Sequence, residues 1–195
     1  EYNLALPGGG STILEVENLL TRGGTSEFLA SVHEVSVSVI NAFRDVRVEE
    51  KHYGKMCGYG DRAQDSIIRT KFRPVNRKPG PEHMLSRKAG RVRKQFIKLL
   101  EGTAGWDTMV RERAEHHLGV PHCEDHSCDL CNPSHFDVRD SSISNSVYTC
   151  TGPQKGPAYF VLPDYGYAIK LEHGVRVSWD GRVVRHCTAY DFWIH

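Results

Sequence analysis

After Pro121 the helical period disappears from this chain, and short apolar runs take its place. They are rich in Val, Tyr, Phe and Trp and are parted by turn formers: SNSVYTC, PAYFVLPDYG, YAIKLEHG, VRVSWDG, RVVRHCTAY and DFWIH. Short strand-like runs broken by such turns are the pattern of an antiparallel sandwich or barrel.

The first 120 residues read as helical. STILEVENLL opens on a Ser-Thr cap and carries Ile13, Leu14, Val16, Leu19 and Leu20 at helical spacing; TRGG ends it. TSEFLASVHEVSVSVINAFRDV places Phe28, Leu29, Val32, Val35, Val39, Ile40 and Phe43 three and four apart. Its VSVSVI portion also alternates, so a strand competes there, but the 3.6-residue period holds across four turns and favours a helix. HYGKMCGYGDR reads as a glycine-rich loop and WDTMVRERAEHHLG as a short helix stopped by Gly119. The expected fold is α+β: a helical region over 1–120 before a β-rich core over 121–195, together one compact domain.

No apolar run approaches the ~18 residues that span a bilayer. The first residues, EYNLALPGGGST, read as a loop or a trimmed boundary and lack the basic and apolar regions of a secretory signal. Net charge is +1 and indicates no partner, but its distribution does. Arg69 to Lys98 holds 11 Lys/Arg against one acid, Glu82. A Pro/Gly-rich basic loop leads into a helix, MLSRKAGRVRKQFIKLLEG, with Leu85, Val92, Phe96, Leu99 and Leu100 inward. Arg87, Lys88, Arg91 and Lys94 then face outward as candidate phosphate contacts for a nucleic acid. The competing reading is a solvated face balanced by acids elsewhere.

Six cysteines are too few for a disulfide scaffold in 195 residues. Three of them, Cys123, Cys128 and Cys131, crowd beside His122 and His126. This is the usage of a reduced, intracellular protein with a metal cluster. Cys128 and Cys131 have knuckle spacing. With Cys123 and His126 (or His122, which spacing does not separate from it) they offer zinc four ligands in a compact structural knot. A polar loop with reduced thiols is the alternative.

CNPSHFDVRDSS follows directly. On a strand, residues two apart point to one face, so His135 and Asp137 set an imidazole beside a carboxylate. A third ligand stands in GRVVRHCTAY: His186, 51 residues after His135, on an alternating apolar strand behind the turn WDG. Two His and one carboxylate suit a metal with open positions, such as non-haem Fe(II).

The stretch PAYFVLPDYGYAIKLEHGVRVSWDGRVVRHCT resembles the core of the Fe(II)/2-oxoglutarate-dependent dioxygenases, a family with a double-stranded β-helix, or jelly roll. The phrasing is nearest to the TET/JBP-type nucleic-acid-modifying oxygenases of fungi and algae. The resemblance covers roughly Asn132 to Tyr190. It implies that His135, Asp137 and His186 bind Fe(II), and that 2-oxoglutarate and O2 fill the open positions. The oxidised substrate would be a base such as 5-methylcytosine in DNA, flipped from the stack, and the protein would then be nuclear. The chain departs from the family in one respect: no Arg or Lys follows His186 to hold the distal carboxylate of 2-oxoglutarate. The co-substrate site is therefore unassigned, with Arg182, Arg176, Lys170 and Lys155 as cations of the β half and ascorbate as the alternative co-substrate. Arg139 and Asp140 are placed to line the site, and Tyr165, Tyr167 and Trp179 are candidates to stack on a base. The rival functions are an iron oxygenase acting on a protein side chain or a small molecule, and a non-catalytic zinc-stabilised binding module.

Overall fold

The computed structural model describes residues 2–5, 12–42, 53–59, 61–63, 72–74, 94–101, 106–107, 110–111, 124–138, 144–150 and 156–190. It is a mixed helix and strand structure, with antiparallel sheets in the C-terminal half. Strands β1 (Tyr2–Ala5), β2 (Thr12–Asn18), β10 (Val175–Trp179) and β7 (Ser144–Val147) form one sheet in the order β1-β2-β10-β7. Strands β11 (Cys187–Tyr190), β8 (Ala158–Leu162) and β9 (Tyr167–Leu171) form a second, β11-β8-β9. Strand β3 (Tyr53–Tyr59) pairs with β6 (Glu124–Cys131), and β4 (Asp61–Ala63) with β5 (Phe72–Pro74).

The alternation in PAYFVL is realised directly: Ala158, Phe160 and Leu162 are buried, while Tyr159 and Val161 are half-buried. They meet Val175, Val177 and Trp179 of β10, with Leu14, Leu171, Val184 and Tyr190, in the main core. The β8–β9 turn runs through Pro163–Tyr165 and closes on Gly166 at φ 68°, a left-handed conformation that glycine adopts freely.

Two expectations for the front half are corrected. STILEVENLL is not a helix: its central part is β2, followed by a single 3-10 turn at Leu19–Thr21. The reason lies 160 residues away. In a strand Leu14 and Val16 share one face, which packs on the main core, and Glu15 and Glu17 share the other. There the two carboxylates meet Arg176 of β10, whose side chain is 1% exposed; Arg176 lies opposite Glu17 in the register. A helix would part the two carboxylates and leave that buried guanidinium without them. HYGKMCGYGDR is likewise not a loop, since Tyr53–Tyr59 and Asp61–Ala63 are strands. A short strand, Phe72–Pro74, also lies in the basic stretch expected to be loop, and the first residues form β1. The front half therefore contributes strands as well as helix.

The expected second helix is present as α1 (Ser26–Ala42), and it carries VSVSVI as helix. Phe28, Leu29 and Val35 are buried with Leu19, and Val32, Phe96, Leu99 and Val147 pack against them. The rings of Phe28 and Phe96 stack at 6.0 Å. Thr25 does not cap the helix with its side chain: its hydroxyl donates to the carbonyls of Leu19 and Arg22. Phe96, Leu99 and Leu100 lie in a helix over 94–100 and face inward as expected. Among the described residues no helix is long and apolar enough to cross a membrane.

Candidate metal centre

His135 and His186 lie opposite one another in an isolated antiparallel bridge. Each backbone N–H donates to the other's carbonyl, at 2.9 Å and 3.0 Å. This bridge continues the β11 edge towards the segment that follows β6. It also brings the two imidazoles together, with centroids 4.6 Å apart and planes tilted by 48°. Asp137 is fixed separately. Its N–H donates to the Gly181 carbonyl at 2.7 Å, which ties it to the turn between β10 and His186.

The three side chains converge. Asp137 Oδ1 is 3.4 Å from His135 Nε2, and Asp137 Oδ2 is 3.1 Å from His186 Nε2. One ligand atom from each residue falls within a sphere of mutual distances no greater than 4.8 Å. Donors at right angles on an ion with bonds of ~2.1 Å are about 3.0 Å apart, which each carboxylate oxygen approaches towards its own histidine.

The outer contacts fix which nitrogen faces the centre. His135 Nδ1 lies 2.8 Å from the Pro133 carbonyl, and His186 Nδ1 lies 2.9 Å from that of Val184. A carbonyl oxygen only accepts, so both Nδ1 atoms carry the proton and donate it. In a neutral ring Nε2 is then a bare lone pair. With both rings neutral, two such lone pairs and a carboxylate offer three donors to one cation. Backbone carbonyls holding the far nitrogen of a ligating histidine are the usual outer shell of a metal site. The donor set of two imidazoles and one carboxylate fits a divalent first-row ion with open positions.

Burial gives the centre a floor and a mouth. His186 is 4% exposed and packs against Phe160 and Trp179, with centroids 5.5 Å and 5.1 Å away. The side chains of His135 and Asp137 are 36% and 31% exposed. Gly181 is buried against the carboxylate: a β-carbon there would stand 3.0 Å from Asp137 Cβ. Trp179 and Gly181 are the site residues that sequence reasoning missed in these roles. WDG reads as a turn and Trp179 as a stacking candidate, and nothing local in it signals contact with a residue more than 40 positions earlier. Trp179 is 8% exposed inside the core, so its faces are not open to a base. Tyr165 packs on that core, while Tyr167 is exposed.

The other predicted residues stand apart from the centre or outside the described residues. Cys123, Arg87, Lys88, Arg91, Arg139, Asp140 and Lys155 lie outside them; Lys94 is exposed on the helix described over 94–100. The segment holding His126, Cys128 and Cys131 is strand β6, where a compact loop was expected. A strand rises ~3.3 Å per residue, so it separates Cys128 from Cys131 where a knuckle would turn them together. The side chains of His126 and Cys128 are not among those described. Cys131 is half-buried against the main core, near Cys187. Burial pushes both thiols up. A hydrogen bond with the Tyr190 backbone opposes this at Cys131; at Cys187 the neighbouring Cys131 adds to it and Arg185 opposes it. Three of the four cations named for the co-substrate have carboxylate partners: Arg176 has Glu15 and Glu17, Arg182 has Asp180, and Lys170 has Glu172. Comparison of the chain with protein-family models, curated proteins and solved structures finds no match.

Proposed function

We propose that this chain is a non-haem Fe(II) oxygenase with His135, Asp137 and His186 as the three protein ligands. The observation that carries the reading is the pair of Nδ1–carbonyl contacts, which turn two Nε2 lone pairs onto one carboxylate. When bound, the iron supplies oxidation by O2 with the help of an electron-donating co-substrate, 2-oxoglutarate or ascorbate. The chain's own residues do the rest. The His135–His186 bridge and the Asp137–Gly181 bond fix the three side chains that would hold the ion. Phe160 and Trp179 exclude water from the His186 side. Substrate approaches from the His135 side, where the ligands are exposed.

Strand order supports a jelly-roll reading of the core. From β7 to β11 the chain visits the first sheet, then the second twice as a hairpin, then the first, then the second again. The Fe(II) ligands stand where the second sheet is extended by the His135–His186 bridge. In this reading the substrate is a nucleic-acid base such as 5-methylcytosine in DNA, supported by the basic run from Arg69 to Lys98. DNA affinity should then fall steeply with salt, and that slope should shrink when Arg91 and Lys94 are neutralised.

The deciding experiment is anaerobic Fe(II) titration with 2-oxoglutarate, in wild type and Asp137→Ala. A charge-transfer band of the Fe(II)–oxoacid chelate, present in wild type and lost in the variant, is the expected result. Fe(II) binding without the band keeps the centre and moves the co-substrate to ascorbate. Absence of Fe(II) binding ends the oxygenase reading.

A further inference from the structure

Trp179 carries a polar atom that the fold leaves unused. The residue is 8% exposed, and its indole Nε1 is buried with no hydrogen-bond partner. Buried donors are almost always paired, so an orphaned one beside a ligand cluster is informative. The ring is held by Phe160 at 4.8 Å and by His186 at 5.1 Å, and neither contact gives its N–H a hydrogen bond.

The space in front of the N–H is defined by Gly181. The point where a Gly181 β-carbon would stand is 3.3 Å from Trp179 Nε1 and 3.2 Å from Asp137 Oδ2. The indole donor and the ligand carboxylate thus border one small volume, and it is open because residue 181 lacks a side chain. Asp137 spans both histidines, Oδ1 towards His135 and Oδ2 towards His186. An ion placed among the three would take the carboxylate through one oxygen and release the other from its histidine. With Oδ1 on the ion, the released oxygen is Oδ2, which borders the volume that holds the N–H.

We propose that the Trp179 indole N–H is a positioning donor that holds the non-ligating oxygen of Asp137 when the centre is loaded, with Gly181 keeping their approach open. The proposal rests on the metal-centre reading and adds a residue to it. Outer-shell partners of this kind change metal affinity by about 10–100-fold when removed. Trp179→Phe keeps an aromatic ring against Phe160 and His186 and deletes the N–H.

The test is the indole N–H signals of 15N-tryptophan-labelled protein, with one equivalent of Zn(II) as a diamagnetic stand-in for Fe(II). The chain has three tryptophans. The Trp179 signal is the one missing in Trp179→Phe or, should that variant not fold, the one surviving both Trp106→Phe and Trp193→Phe. On loading, this signal is expected to move downfield and to exchange more slowly with water. Neither change should occur in Asp137→Ala, and Trp179→Phe should bind Zn(II) about 10–100-fold more weakly. A Trp179 signal that stays still while the His135 and His186 ring resonances respond overturns the proposal alone. A response that persists in Asp137→Ala also overturns it. Histidine rings that do not respond remove the metal centre, and the proposal with it.

Discussion

Gly181 shows how a single residue without a side chain sets the geometry of a ligand. Alanine there would place a methyl 3.0 Å from Asp137 Cβ and 3.2 Å from its Oδ2. The first distance is tighter than most such contacts, so Asp137, held by its backbone bond to residue 181 itself, must give by a few tenths of an ångström. Relieving the contact shifts the carboxylate relative to the histidines. Gly181→Ala is therefore expected to weaken divalent-metal binding by about 10-fold or more, as losing an outer-shell partner does. Isothermal titration with Mn(II) measures this, with circular dichroism confirming an intact fold. The thiol of Cys131 allows a second prediction at this scale. Burial raises its pKa above 9.0, so the folded state favours the protonated form. The sign follows: the stability it contributes is present below the ordinary thiol range and is lost as pH rises through the raised value. Alkylation of folded protein at pH 9 should lag behind that of urea-unfolded protein, and the gap should close at higher pH. Mass spectrometry of the Cys131 peptide reads both rates. Equal rates at pH 9 would contradict the assigned burial.

At the scale of elements, β2 and β10 are joined by charge as well as by their backbone ladder. Arg176 reaches Glu17 Oε2 at 3.0 Å, Glu15 Oε1 at 2.5 Å and Asn145 Oδ1 at 3.2 Å, and Arg22 also pairs with Glu17. Removing one member of such a buried cluster leaves charge without compensation, at a cost of about 3–5 kcal/mol. Arg176→Met should lower the stability read by urea unfolding by about that amount, whereas Arg185→Met, at an exposed pair with Asp164, should cost less than about 1 kcal/mol. This cluster also explains what the sequence concealed. β8 was legible because its alternation is local: every second residue meets the core whatever its partners are. The helix α1 was legible because Phe28, Leu29, Val32 and Val35 keep a 3.6-residue period, which outweighs the β-branched run inside it. β2 was not. LEVENL satisfies a helical spacing of Leu14, Val16 and Leu19 loosely, and the partner that makes a strand of it, Arg176, lies far along the chain. The HxD…H pattern was readable because ligand chemistry limits the residue types. The roles of Trp179 and Gly181 were hidden because they depend on a turn folding back onto Asp137.

At the scale of the whole molecule, the centre joins two segments 51 residues apart. His135 follows β6 and His186 precedes β11, so an ion bound by both, with Asp137, closes the edge of the second sheet covalently in all but name. Anything bound by the folded state alone stabilises it, by about 2.7 kcal/mol at a hundred times the dissociation constant. For a chain of this size that corresponds to a melting point raised by about 5–10 °C. Mn(II) at saturation should produce the rise, and EDTA should reverse it. The control must separate the ion from ordinary packing, because the His186 ring also fills space against Phe160 and Trp179. Replacing it would lower the melting point with or without metal. The informative quantity is therefore the metal-dependent increment in Asp137→Asn, a replacement of nearly the same shape at a residue outside the core. That increment should fall to near zero. With Zn(II) the same comparison weighs the two candidate metal sites against each other. Should the increment survive intact in Asp137→Asn but vanish when Cys128 and Cys131 are both replaced by serine, the stabilising ion sits in the cysteine-rich strand and not between the histidines.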